Sequence, residues 1–316
     1  MGKLLEGKVA IVTGAGRGLG KEEVLALAKE GCKILVNDLG ASFDGSGKES
    51  KIADQVVEEV KNLGVEAVAN YDSVTDFEKA KGMIQQAVEE LGGLDIVVNN
   101  AGILRDRMIF NMSEAEFDAV IAVHLKGTFN MLRHAAEYFR TETKEGTRKK
   151  KSGRIINTAS DAGLLGNPGQ SNYGAAKAGI AAMTIIAAQE LKKYATVNCI
   201  VPMARTRLTT DATPKMAGVM KKKNKSGMDV FDPANVAPMV AYLASKKARR
   251  ITGEVFRAAG DKVWLFQGWQ TVNRIDNDGE RFTVEQLIDR VPSELMKEKP
   301  EQQSLMSVAG ELLGLE

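Results

Sequence analysis

Along most of the chain, short apolar runs alternate with longer segments whose apolar positions recur every three or four residues. The short runs are "KVAIVTG", "KILVND", "EAVANYD", "LDIVVNNAG", "GRIINTAS", "TVNCIVP" and "GEVFRAAG". They are apolar through their whole length, as strands buried on both faces must be. The segments between them, such as "SEAEFDAVIAVHLKGTFNMLRHAAEYF", fit amphipathic helices. This alternation predicts a doubly wound α/β domain over residues 1–262, with seven parallel strands and helices on both faces. Residues 263–316 read differently. They hold both tryptophans, Trp264 and Trp269, and two short amphipathic patterns, "TVEQLIDRV" and "SLMSVAGELLGL". So short a stretch cannot build a large core of its own. It is predicted to be an extension packed on the main domain or on a neighbouring subunit.

Composition narrows the partners. A net charge of +2 over 316 residues gives no electrostatic footprint for nucleic acid. Cys32 and Cys199 both lie beside apolar strand-like runs and read as buried free thiols. With only two histidines besides, no metal site is expected. No apolar run has the length of a membrane span, and the N-terminus lacks a signal-peptide core, so the cytoplasm is the expected compartment. Two lysine-rich stretches, 144–154 and 221–227, read as solvated loops, with phosphate or other anion binding as the alternative.

The first run ends in "VTGAGRGLG", which places Gly14, Gly16, Gly18 and Gly20, with Arg17 and Leu19 among them, between a strand and a helix. Glycines there admit a pyrophosphate against the backbone, and the helix N-terminus offers it unpaired N–H groups. The second run ends at Asp38. A carboxylate there can accept from both ribose hydroxyls and repels a 2′-phosphate, which favours NAD. Arg17 argues the other way, for NADP. Asp72, after the third run, is a candidate for the adenine edge, and Ser73 next to it is a further candidate cofactor-binding residue.

The stretch "SNYGAAKAG" sets Tyr173 and Lys177 one helical turn apart among residues with little side chain. A free phenol, with a pKa near ~10, is a poor base at neutral pH. A neighbouring ammonium favours the phenolate, by roughly 1–3 units, so Tyr173 could exchange a proton with a substrate oxygen. Ser160 could hydrogen-bond the same oxygen as charge develops. The small neighbours would then leave room for cofactor and substrate.

Taken together, the glycine loop, "NNAG" at 99–102, the serine of "NTAS" and Tyr-x-x-x-Lys resemble the short-chain dehydrogenase/reductase family over about residues 7–260. The resemblance implies a Rossmann-type fold and a Ser160, Tyr173 and Lys177 site. It also implies that Lys177 binds the nicotinamide ribose, that Asn100, Ala101 and Gly102 line the cofactor with Pro202, and that Thr206 meets the carboxamide. A homodimer or homotetramer through the helices at about 113–140 and 171–193 is implied as well. Where the family usually has an asparagine supporting a proton path, this chain has His124, which could sustain a relay titrating nearer neutrality or could be a packed residue.

A closer likeness runs through "ILVNDLGASFDGSGKESKIADQVVEEV", "RDRMIFNMSE", "HLKG" and "VPMARTRLT". These are similar to the dehydrogenase portion of peroxisomal multifunctional enzyme type 2, also classed as a hydroxysteroid dehydrogenase, and its single-function bacterial relatives. The likeness implies oxidation of a (3R)-3-hydroxyacyl-CoA or a steroid-like or alicyclic alcohol. An NADPH-linked 3-oxoacyl reductase is the runner-up, and a non-catalytic NAD(H)-sensing module a third reading. The region 203–230, with Met203, Met216, Met220 and Met228, is predicted to form the substrate lid.

Overall fold

The seven predicted strands all form, and they share one sheet. The computed structural model describes residues 3–42, 44–47, 51–206, 218–297 and 303–315. The strands are β1 (Val9–Thr13), β2 (Lys33–Asn37), β3 (Ala67–Asn70), β4 (Ile96–Asn99), β5 (Gly153–Thr158), β6 (Ala195–Pro202) and β7 (Val255–Ala259). They run parallel in the order β3-β2-β1-β4-β5-β6-β7.

An eighth strand, β8 (Lys262–Phe266), pairs antiparallel with β7 and becomes the sheet edge. Residues 263–266 of it belong to the stretch predicted as the extension, and they join the sheet instead. They turn back because Gly260 adopts φ +54° at the first of two loop positions, where a tight hairpin turn of type II′ needs a positive φ.

Alternate side chains of each strand fill two separate cores, which explains why the strands are apolar throughout. Ala10, Val12, Ile34, Val36, Ile96 and Val98 face the layer of α1 (Gly18–Lys29) and α2 (Lys51–Asn62). Val9, Ile11, Leu35 and Val97 face α3 (Phe77–Leu91) and the helices that follow it. Each Val, Leu or Ile among them contributes roughly 1.5–3 kcal/mol by leaving water.

The predicted long helix after β4 is interrupted. It forms as α4 (Glu114–Ile121) and α5 (Gly127–Glu145), joined by a π-helical turn over Ala122–Lys126 that carries His124. The short α6 (Asp161–Leu164) follows β5, and α7 (Ser171–Glu190) carries Tyr173 and Lys177. Beyond β6 comes α8 (Ala237–Ala244).

The two predicted amphipathic segments of the C-terminal region also form, as α9 (Val284–Arg290) and α10 (Leu305–Leu313). No residue of α9 is buried. By contrast, α10 buries Val308, Ala309, Leu312 and Leu313 against Met203, Met220, Val230 and Phe231. Among the described residues, no helix is long and apolar enough to cross a membrane. Met216 lies outside the described residues.

Because β1 is flanked by β2 and β4, the strand order reverses direction at the β1–β4 pair. The crevice at the carboxyl ends of these strands is where open α/β sheets take their ligands.

Candidate active site

Every predicted site residue except Gly16 lines one cavity of about 340 Å³ at that crevice. It runs from Gly14, Arg17 and Gly20 past Tyr173 and Lys177 to Met203, Met220 and Leu305.

The nucleotide end is built by backbone. At Gly14, with φ +64°, an added Cβ would stand 2.7 Å from Ala101 Cα. At Gly20 it would stand 2.3 Å from Gly14 O and 2.5 Å from Asn100 Nδ2. These contacts leave no room for a side chain and form a cradle lined by main chain, which fits a dinucleotide phosphate. Asn100 donates from Nδ2 to the carbonyls of Thr13 and Gly14, and Thr13 Oγ1 accepts from Asn100 N and Ala101 N. Thr13 therefore ties β1 to the loop after β4, a role readable only in hindsight from the Thr-Gly of "VTGAG".

Gly16, within the loop, instead donates its N–H to Asp38 Oδ2 at 2.7 Å. Gly40 N donates to Asp38 Oδ1, also at 2.7 Å, so the carboxylate is fixed at the end of β2. Asp72 lines the cavity, but one carboxylate oxygen is 2.8 Å from Lys79 Nζ.

At the chemical end, Lys177 is 3% exposed and donates from Nζ to Thr158 O at 2.5 Å. Its ammonium stands 5.5 Å from the Tyr173 ring centroid. Burial pushes Lys177 down to about 8, opposed by the nearby Cys199 and Glu23 groups. Glu23, fully buried on α1, is pushed up to about 8 by the same cause, and Lys177 opposes that shift. Among the described residues neither Glu23 carboxylate oxygen has a hydrogen-bond partner. Nothing in the sequence flagged it, because a glutamate in a helix normally faces water.

Two expectations change here. The phenol of Tyr173 was expected to be made more acidic by Lys177. Burial instead pushes it up to about 12, opposed by the hydrogen bond with Ser160 and reinforced by Asp106 and Asp161. Tyr173 keeps part of its surface open to the cavity, where water moderates that rise. His124 was offered a titration near neutrality. It is 2% exposed, and burial together with Lys177 pushes it down to about 3, so it is neutral in the physiological range. Its Nε2 lies 2.8 Å from Ile103 O, its Nδ1 has no partner among the described residues, and its ring meets that of Tyr173 edge-on at 5.0 Å.

The small residues around Tyr173 also serve differently from the expectation. A Cβ on Gly174 would come 2.9 Å from Ala162 O, and one on Gly163 would come 2.5 Å from Ala178 N. They let α6 lie against α7 and so bring Ser160 beside Tyr173, rather than clearing a floor for ligand. Sequence reasoning missed Leu305, which reaches the cavity from α10.

Comparison with known proteins places the chain in a family. The short chain dehydrogenase family profile matches residues 8–217. A Mycobacterium tuberculosis protein named hydroxyacyl-CoA dehydrogenase is 41% identical over 94% of this chain and 92% of its own. The peroxisomal hydratase-dehydrogenase-epimerase of Neurospora crassa is 44% identical over 82% of this chain, which spans 27% of that longer protein. A crystal structure of a short chain dehydrogenase from Mycobacterium avium superposes with a TM-score of 0.81 at 47% identity, covering 94% of this chain and 97% of that one. The chain belongs to the short-chain dehydrogenase/reductase family, oxidoreductases that act on CH–OH groups with a nicotinamide cofactor.

Proposed function

We propose that the protein is an NAD-dependent dehydrogenase that interconverts a secondary alcohol and a ketone on a (3R)-3-hydroxyacyl-CoA, with Tyr173, Lys177 and Ser160 as its chemical groups. The observation that carries this reading is one cavity joining the glycine cradle, these three side chains and an apolar end of Met203, Met220 and Leu305. A bound nicotinamide supplies the hydride acceptor or donor. Tyr173 gives or takes the proton at the substrate oxygen. Ser160 hydrogen-bonds that oxygen as charge develops on it. Lys177 would hold the sugar of a bound nicotinamide cofactor and keeps a cation near the phenol. Asp38 at the end of β2 favours two ribose hydroxyls over a 2′-phosphate. Arg17, which lines the same cavity, supports the NADPH-linked reductase as the second reading.

Lys221, Lys222 and Lys223 are exposed directly after Met220, where they suit the phosphates of a CoA ester. The name of the Mycobacterium tuberculosis relative is consistent with such a substrate. The test is a panel of 3-hydroxyacyl-CoAs, steroid alcohols and cyclic alcohols, each with NAD and NADP at equal concentration. Turnover of the acyl-CoAs with NAD is expected to exceed the rest. Activity confined to the other alcohols would remove the substrate, and activity confined to NADP the cofactor.

A further inference from the structure

Directly behind Ser160 lies a buried ion pair that the proposed chemistry does not use. Arg257 on β7 is 1% exposed and Asp161 is 2% exposed. The guanidinium donates twice to Asp161 Oδ1, from Nε at 2.9 Å and from Nη2 at 2.5 Å. Two rings of β8 flank it, with centroids 4.6 Å (Phe266) and 5.6 Å (Trp264) away. A pair this deep gains little stability over apolar residues of the same volume, because both charges are stripped of water. Its placement says more than its energy.

Asp161 is the residue after Ser160 and the first of α6. Ser160 Oγ accepts from Ala162 N at 3.2 Å, and Gly163 N donates to Ser160 O at 3.0 Å. Whatever anchors Asp161 therefore anchors Ser160, while the Gly163 contact fixes α6 against the helix of Tyr173.

The pair also bears on charge. The groups around the phenol are Ser160, Lys177 one turn along α7, the neutral His124 from the π-helical turn, and the carboxylates Asp106 and Asp161. Asp106 comes from the loop after β4 and accepts from Gln170 Nε2 at 2.8 Å. Each carboxylate holds the phenol proton more firmly. Arg257 is the cation set against the nearer chain neighbour, Asp161.

We propose that Arg257, clasped between the rings of β8, is a positioning residue that fixes Ser160 through Asp161 and neutralises that carboxylate, which adjoins Ser160 at the start of α6. The proposal rests on the reading of Tyr173 as the proton-exchanging group. It ties the C-terminal hairpin to the chemical site from behind.

The test is the pH dependence of alcohol oxidation with NAD and the most active alcohol of the panel above. Arg257→Gln is expected to move the rising limb to higher pH by about one unit, a tenfold loss at neutral pH, with the KM for NAD unchanged. Asp161→Asn is expected to move the limb the other way. The double variant Asp161→Asn with Arg257→Gln should return the limb to the wild-type position and keep a lowered kcat, since the anchor is weaker. Should Arg257→Gln not fold, the shift of Asp161→Asn alone decides. A limb that stays in place in both single variants, or a double variant that titrates like Arg257→Gln, overturns the proposal. Tyr173→Phe separates the two readings: turnover surviving in it removes the role of Tyr173, whereas turnover lost in it with unmoved limbs in the others removes only the role of Arg257.

Discussion

At one end of the cavity Gly14 and Gly20 press against neighbouring backbone, whereas at the other Met203, Met220 and Leu305 meet flexible apolar side chains. The first end comes from the turns after adjacent strands, tied by Thr13 and Asn100. The second joins the segment after β6 to α10, roughly a hundred residues further along the chain. A backbone cradle has almost no latitude in shape. A wall of thioethers and leucines can be repacked at small cost. A ligand part of fixed shape therefore suits the first end, and one of variable shape suits the second.

The largest effect expected from this contrast is at Gly20. Gly20→Ala drives a carbon into Gly14 O and Asn100 Nδ2, an overpacking cost of about 3 kcal/mol. Dinucleotide affinity, measured by fluorescence quenching, should fall by about a hundredfold. At the other end, Leu312→Ala removes a buried side chain of α10 at a cost of about 2 kcal/mol. It should raise the KM of long acyl substrates and leave the dinucleotide affinity unchanged. An equal change in both constants would show that the two ends are not separate.

Outside the cavity lining, buried on α1, lies Glu23, whose expected effect is on stability against pH. Its carboxyl is raised from 4.5 to about 8, so the folded protein binds more protons than the unfolded chain between those values. The stability it contributes is complete below about pH 4.5 and is lost as pH rises through about 8. Glu23→Gln should remove that decline, and denaturant unfolding at pH 5 and pH 9 would show it. The smallest effect belongs to the lysines. Changing Lys221, Lys222 and Lys223 to serine should raise the KM for CoA esters by only several-fold, as exposed charges do, and spare a free steroid alcohol.

The same contrast governs what could be read from the sequence. Seven strands and the glycine cradle were legible because their signals are local: apolar runs, and glycines at a strand–helix junction. β8 is not legible because its signal is a two-residue turn, Gly260-Asp261, followed by a stretch whose tryptophans and short amphipathic patterns resemble an extension. The π-helical turn at His124 has no period of its own and hides inside a helical pattern. Spacing and the family resemblance single out Ser160, Tyr173 and Lys177, which share one cavity, but not their electrostatics, since burial dominates at Tyr173. Glu23, Leu305 and the Asp161–Arg257 pair depend on partners far away in the chain.

The central claim is that the hydroxyl of Tyr173 exchanges the proton at the reacting carbon's oxygen. Tyr173→Phe removes that one atom and leaves the ring beside His124 and Lys177. NADH binding and steady-state turnover should be measured on the same preparation. The account expects NADH affinity close to that of the unaltered protein and turnover lower by about a thousandfold, the scale of general acid–base catalysis. Turnover within about threefold of the unaltered protein, at equal NADH affinity, would contradict it.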